Sequence, residues 1–211
     1  MQSNKIENQS QKRTNHIRKL VMTALMAALS SVLMFFSFNV PLMPSFIKMD
    51  LSELPALIAA FAMGPLSGAT VCLVKNLVNL FFTTTGGVGE LSNFLLGVFF
   101  VVPAGIIYRL RPRLSGAVIG SVTGALLMAV LSVFSNYYVV YPIYTAFLPM
   151  DAIIGMYQAI NPSVKNLWQC LIVFNMPFTF IKGMVSAVIT MAVYRKITPL
   201  INGNSSGRII P

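Results

Sequence analysis

The stretch NVPLMPSFIKMDLSELPALI, Asn39–Ile58, decides how the rest of the chain is read. It sets Lys48, Asp50 and Glu53 just ahead of an apolar run, and Pro41 and Pro44 forbid a regular helix before them. Downstream come GPLSG (Gly64–Gly68), an apolar segment holding Lys75 and Asn76, and TTTGGVGELSN (Thr83–Asn93). Polar groups are scarce in this chain, and here they fall where apolar spans begin, end or break. A charged or amide side chain at membrane depth is costly unless it is paired or faces a ligand, so each marks a candidate functional site. The stretch reads as the mouth of a small-molecule pocket, with the rest of the chain as its walls.

The membrane assignment comes from composition. The chain has 211 residues, 56% hydrophobic and 9% charged, with a mean hydropathy of +0.76. Soluble domains carry about 25% charged residues, so an integral membrane protein is expected. The formal net charge of +10 does not point to nucleic acid. Lys5, Lys12, Arg13, Arg18, Lys19, Arg109, Arg111, Arg113, Arg195, Lys196 and Arg208 lie outside the apolar spans, as the positive-inside rule requires. No cleavable signal is expected, because about nineteen polar residues precede the first apolar run and no A-x-A site follows it. Cys72 and Cys170 both fall in apolar spans and read as buried free thiols.

Apolar periodicity and breakers predict spans at about 20–38, 54–63, 66–82, 91–110, 114–141 and 165–194. The fold class expected is all-α: a polytopic bundle of six transmembrane helices, with a short second segment and a lid loop on the outer face. Residues 1–19 read as a polar cytoplasmic segment without fixed structure, 20–197 as the membrane domain, and 198–211 as a polar tail. Basic residues before the first span, between the fourth and fifth, and after the sixth put both termini in the cytoplasm. The loops at 39–52, 83–91 and 142–164 then share the outer face, and with Glu53, which directly follows the first of them, they hold every acidic residue except Glu7. Ala24 and Ala28 form a small-residue face on the first helix, of the kind that lets another helix approach closely in lipid.

Catalysis has little to stand on, and no enzyme is expected. No G-x-x-x-x-G-K-[ST] loop is present, and GGVG (Gly86–Gly89) lacks the spacing of a dinucleotide fingerprint. His16 is the only histidine, which excludes His-rich metal centres and a Ser–His pair. No metal and no cofactor are expected. Asp50 and Glu53, ahead of an apolar helix, read as caps. What remains is a binding inventory. Asn175, Thr179 and Lys182 share one helical face at i, i+4 and i+7. Asn136 sits in SNYY (Ser135–Tyr138), with Tyr141 beside it. An asparagine offers an acceptor and two donors, which suits the amide edge of a heterocycle. Lys182 in mid-span requires an anionic or carbonyl partner, either a ligand or a structural carboxylate such as Glu90.

At these residues the chain resembles the substrate-binding S components of energy-coupling factor (ECF) transporters, and among them the riboflavin-specific RibU type. The resemblance runs from about 20 to 196. It rests on Ala24-x-x-x-Ala28, on PLMPSFIKMDLSELPALI (Pro41–Ile58), GPLSG and KNLVNLFFTTTGGVGELSNF (Lys75–Phe94), and on SNYY and PFTFIKG (Pro177–Gly183). It implies one vitamin, riboflavin, with FMN as a second candidate, held in a pocket open to the outer face under the first outer loop. It also implies a transmembrane T subunit, meeting the face of Ala24 and Ala28, and two cytoplasmic ATPase subunits. Carried over by motif, the substrate-binding residues are Leu42, Met43, Phe46, Lys48, Glu90, Asn136, Thr179 and Lys182. Some members carry P-F-N-x-x-K where this chain has Thr179, and Asn175, one turn earlier, stands as the substitute; Tyr141 completes the set. The alternatives are an S component for another vitamin, or an autonomous carrier. The carrier would favour an inverted repeat and a continuous polar path, and neither is evident.

Overall fold

The computed structural model describes residues 2–41, 43–44, 47–146 and 148–202, with side chains from 11 to 193 among these. The chain is mostly helical. Helix α1 (Gln2–Phe35) is followed by a hairpin of two short strands, β1 (Phe38–Asn39) and β2 (Lys48–Met49). Then come α2 (Glu53–Met63), α3 (Pro65–Leu80), α4 (Val88–Leu110) and α5 (Leu114–Ser135). A π-helical turn (Asn136–Val140) joins α5 to α6 (Tyr141–Tyr144), and α7 (Met150–Gln158) lies in the connection that follows. The last span is α8 (Leu167–Cys170), a second π turn (Leu171–Asn175) and α9 (Met176–Asn202).

Two expectations about the ends change. The polar head is helical from Gln2 rather than unstructured. It contains no glycine or proline, so a helix nucleated in the apolar span propagates outward, gaining one bond per residue fixed. At the other end α9 runs on through Asn202, and 203–211 lie outside the described residues. The predicted irregular connection 142–164 contains α7, which is anchored by buried Ile153 and Tyr157 one turn apart.

Among the described residues, four helices are long and apolar enough to cross a membrane: Gln11–Phe35, Val88–Leu110, Leu114–Tyr144 and Leu167–Val193. The 31 residues of Leu114–Tyr144 exceed one crossing, as the sequence indicated. Helices α2 and α3, of 11 and 16 residues, are shorter. At about 1.5 Å per residue, neither spans the roughly 30 Å hydrocarbon layer upright. Gly64 separates them at φ 104°, a conformation open to glycine, and Pro65 starts α3 where its missing N–H costs nothing.

Small residues let the helices touch. A methyl group added at Gly68 would lie 2.7 Å from Ala60 Cβ, and one at Gly124 would lie 2.4 Å from the Phe100 carbonyl oxygen. One core gathers Leu57, Phe61, Val71, Phe100, Val101 and Met128 between α1–α5 and α9. A second, at the hairpin end, gathers Tyr141, Ile153, Tyr157 and Leu171. Apolar side chains such as Leu25, Leu126, Ile181 and Val188 face outward, whereas Lys75, Glu53, Asn76 and Ser121 are buried. Apolar outside and polar inside is the distribution a bilayer selects. Cys72 and Cys170 are buried and unbridged.

Candidate functional site

A cavity of about 660 Å³ opens at the hairpin end of the bundle. Its wall is assembled from separate elements. The end of α1 supplies Met34 and Phe35, the hairpin Asn39, Lys48 and Asp50, and α3 Asn79. The start of α4 adds Glu90, Ser92 and Asn93; α5 and the turn after it add Met128 and Asn136. Tyr141 and Tyr144 close one side, and Asn175, Phe178, Thr179 and Lys182 form another.

Two of the cavity asparagines sit in π turns, Asn136 opening the first and Asn175 closing the second. A π turn inserts one residue into a helix and re-aims the side chains on it, and such turns recur at functional sites. Asn136 Oδ1 accepts from the Ser92 hydroxyl at 3.2 Å. Asn175 Oδ1 accepts from the Tyr157 hydroxyl at 2.7 Å.

The ionisable groups form two linked pairs. Lys182 Nζ lies 2.8 Å from Asp50 Oδ2 at the cavity wall. Lys75 Nζ lies 2.9 Å from Glu53 Oε1 in the core, both side chains at 0% exposure. Ser52 joins them: its Oγ accepts from Lys75 Nζ at 2.6 Å and donates to Asp50 Oδ1. The Ser30 hydroxyl of α1 donates to the Ser52 carbonyl. Burial alone pushes the Asp50 carboxyl up, but the Lys182 and Lys75 ammoniums and the hydrogen bonds from Lys182 and Ser52 hold it well below the usual carboxylate range. Asp50 and Glu53 are therefore members of ion pairs. Only the bond from Ser52 N to Asp50 Oδ1, 2.9 Å, resembles a cap.

The partner of Lys182 also differs from the one the sequence offered. The hairpin brings Asp50 onto α9, while Glu90 is held in its own loop by the hydroxyls of Thr83 and Thr85 at 2.9 and 3.2 Å. That loop turns through Gly86 and Gly87 at φ 63° and 88°, with Gly87 N donating to Thr83 Oγ1 at 3.0 Å. Its carboxylate faces the cavity in the first turn of α4.

Of the residues singled out from sequence, Lys48, Glu90, Asn136, Tyr141, Asn175, Thr179 and Lys182 line this one cavity. Met43 is half-buried and does not line it; Leu42 and Phe46 lie outside the described residues. Ala24 and Ala28 are exposed on α1, away from the cavity. Sequence reasoning missed Asp50, Asn79, Thr85 and Tyr144 as wall residues. Asn79 stands one turn beyond Lys75, a spacing that was available to find it. No group of three or more His, Cys, Asp or Glu side chains suited to a metal occurs among the described residues.

The family model for the ECF transporter, substrate-specific component, matches residues 18–194. The riboflavin transporter RibU of Staphylococcus aureus (strain TCH60) is 30% identical over 184 residues, covering 85% of this chain and 90% of that one. The riboflavin transporter FmnP of Bacillus subtilis (strain 168) is 29% identical over 196 residues, covering 92% and 98%. A solved S component of a bacterial ECF transporter superposes with a TM-score of 0.70 at 29% identity, over 88% of this chain and 98% of that chain.

Proposed function

This chain belongs to the family of ECF transporter substrate-specific components, and from that premise we propose that its cavity captures riboflavin from the outer face of a bacterial cell membrane. The observation that carries the proposal is the convergence of Asn136, Asn175, Thr179 and the Lys182–Asp50 pair, from separate elements, on one cavity with aromatic and methionine walls. Isoalloxazine is broad, flat and largely apolar, and suits the surfaces of Met34, Phe35, Phe178 and Tyr141. Its pyrimidine edge needs amide partners, for which the two asparagines and Thr179 are placed. The ribityl hydroxyls need carboxylate, amine and hydroxyl partners, which Glu90, Lys48 and Thr85 offer. Leaving one such buried group unpaired costs about 1–3 kcal/mol, which is how the site would reject other vitamins. FMN is a further candidate, with exposed Lys48 at the rim.

In this reading the six main helical segments form a six-helix membrane domain with both termini cytoplasmic. The hairpin loop, with Leu42, Met43 and Phe46, closes over the occupied cavity as a lid. Transport rather than catalysis is the activity. Energy comes from a T subunit and two ATPase subunits, the exposed face of Ala24 and Ala28 being the docking surface for the T subunit.

The chain purified from a flavin-producing host should be yellow, with a riboflavin-like absorption spectrum. A colourless protein that does not bind added riboflavin would refute the substrate. Changing Ala24 and Ala28 together to leucine should abolish uptake and leave binding intact; loss of binding would place that face inside the fold.

A further inference from the structure

The connection between α6 and α8 has no role in ligand capture as proposed, yet it sends one side chain behind the cavity wall, against Tyr141 and Asn175. Tyr157 of α7 is fully buried, and its ring packs 5.3 Å from that of Phe174. It does not itself line the cavity; its neighbours Tyr141 and Asn175 do. The Tyr157 hydroxyl donates to Asn175 Oδ1 at 2.7 Å and is paired with the Tyr141 hydroxyl. A phenol has one hydrogen, so a tyrosine that donates to Asn175 must accept from Tyr141. The relay therefore has a direction, from Tyr141 through Tyr157 to Asn175. With Oδ1 accepting from Tyr157, the donors that Asn175 can offer a ligand are its Nδ2 hydrogens. The turn that carries Asn175 is a π turn, and the bond from the Tyr157 hydroxyl holds its amide with Oδ1 turned toward α7.

We propose that Tyr157 is a positioning residue for substrate recognition: it fixes Asn175 with its N–H donors toward the cavity and so selects ligands that present a hydrogen-bond acceptor at that edge. Helix α7 is then part of the recognition apparatus. Ile153, one turn before Tyr157, anchors it in the same apolar cluster, and Gln158 Nε2 ties its end to the Val164 carbonyl at 2.9 Å. Riboflavin satisfies the requirement through the carbonyl oxygens and ring nitrogens of its pyrimidine edge, and the inference rests on riboflavin being the ligand.

The test is a double-mutant cycle on the full chain in detergent, titrated with riboflavin: wild type, Tyr157→Phe, Asn175→Ala and the double variant. Phenylalanine keeps the ring and removes only the hydroxyl. Tyr157→Phe should weaken riboflavin binding about three- to tenfold, the worth of one hydrogen bond. In the Asn175→Ala background it should change nothing further in binding, and the ligand-free variant should stay folded, its melting temperature lowered only by the worth of the buried hydroxyl bonds lost. The same loss in both backgrounds, or no loss, overturns the proposal and leaves Tyr157 a packing residue. A wild-type chain that fails to bind riboflavin sinks the substrate reading itself, whereas wild-type binding with an additive cycle sinks only the role of Tyr157.

Discussion

The buried pair Lys75–Glu53 sets up the sharpest stability test. Lys75→Met keeps the length and the apolar stem of the side chain and deletes the charge. The substitution removes the 2.9 Å contact with Glu53 and the 2.6 Å bond to Ser52 Oγ. Glu53 is then a carboxylate at 0% exposure with no cation beside it. Breaking one side of a buried pair costs about 3–5 kcal/mol, mostly the penalty of the charge left behind, and the lost serine bond adds about 1 kcal/mol. Glu53→Gln with Lys75→Met removes both charges together, so only the hydrogen-bond loss should remain, about 1–2 kcal/mol. Thermal unfolding of the purified chain in detergent is the assay. For a domain of this length, each kcal/mol moves the midpoint by roughly 2–4 °C, so the single variant should fall by roughly 10 °C or more and the double should recover most of that. A single variant within about 2 °C of wild type would mean that water reaches the pair. A double variant as unstable as the single would mean that uncompensated charge is not the cause. Either result refutes the reasoning.

Other expectations follow from the same geometry. Asn136→Ala and Lys182→Ala should each weaken riboflavin binding about tenfold or more while the bundle stays folded, since each removes a hydrogen bond, charged in the case of lysine; unchanged affinity in both would remove them from the site. Gly124→Ala drives a methyl into the Phe100 carbonyl, 2.4 Å away, and should lower the melting temperature, whereas Gly155→Ala in α7 meets nothing within 4 Å and should raise stability by about 0.5–1 kcal/mol. The Asp50 carboxyl titrates lower in the folded chain than in the unfolded one, so its contribution is complete above the unfolded value of about 3.9 and fades only as pH falls further. Riboflavin binding and melting temperature should therefore show no step attributable to this pair between about pH 5 and pH 8; a step there would mean that Asp50 is not held by Lys182.

Much of the site was legible because charge and amide groups are so rare in an apolar chain that each one stands out. Asn175, Thr179 and Lys182 came from helical spacing, Asn136 from a polar break in a long span, and Glu90 from the family resemblance of its loop. What the sequence could not show was pairing. Asp50 and Lys182 are 132 positions apart, and only the hairpin, whose register sets Asn39 opposite Lys48, brings them together. The same blindness made Glu90 the natural partner for Lys182 and made caps of Asp50 and Glu53. Tyr157 was hidden for a different reason. It sits in a connection without membrane periodicity, and its contact with Asn175 depends on a π turn that a 3.6-residue pattern does not reveal. The helical head was missed because polarity was taken for lack of structure, when no residue in it stops a helix.

The two ion pairs use the same chemistry for different ends, and the donor count of lysine separates them. An ammonium has three N–H bonds. Lys75 gives its bonds to Glu53 and Ser52 inside a sealed core, beyond reach of any ligand. Lys182 gives one to Asp50 while lining the cavity, which leaves two donors for an incoming acceptor. Structural pairing and ligand contact are therefore compatible at Lys182. Asp50 keeps the ammonium charged and in place when the site is empty, and a ligand adds to that pair without having to break it. Asp50→Asn tests this directly. If the carboxylate holds Lys182 ready, the amide variant should bind riboflavin more weakly even though it removes no group proposed to touch the ligand. If Asp50 instead competes with the ligand for the ammonium, binding should tighten, and the idea of a held donor fails.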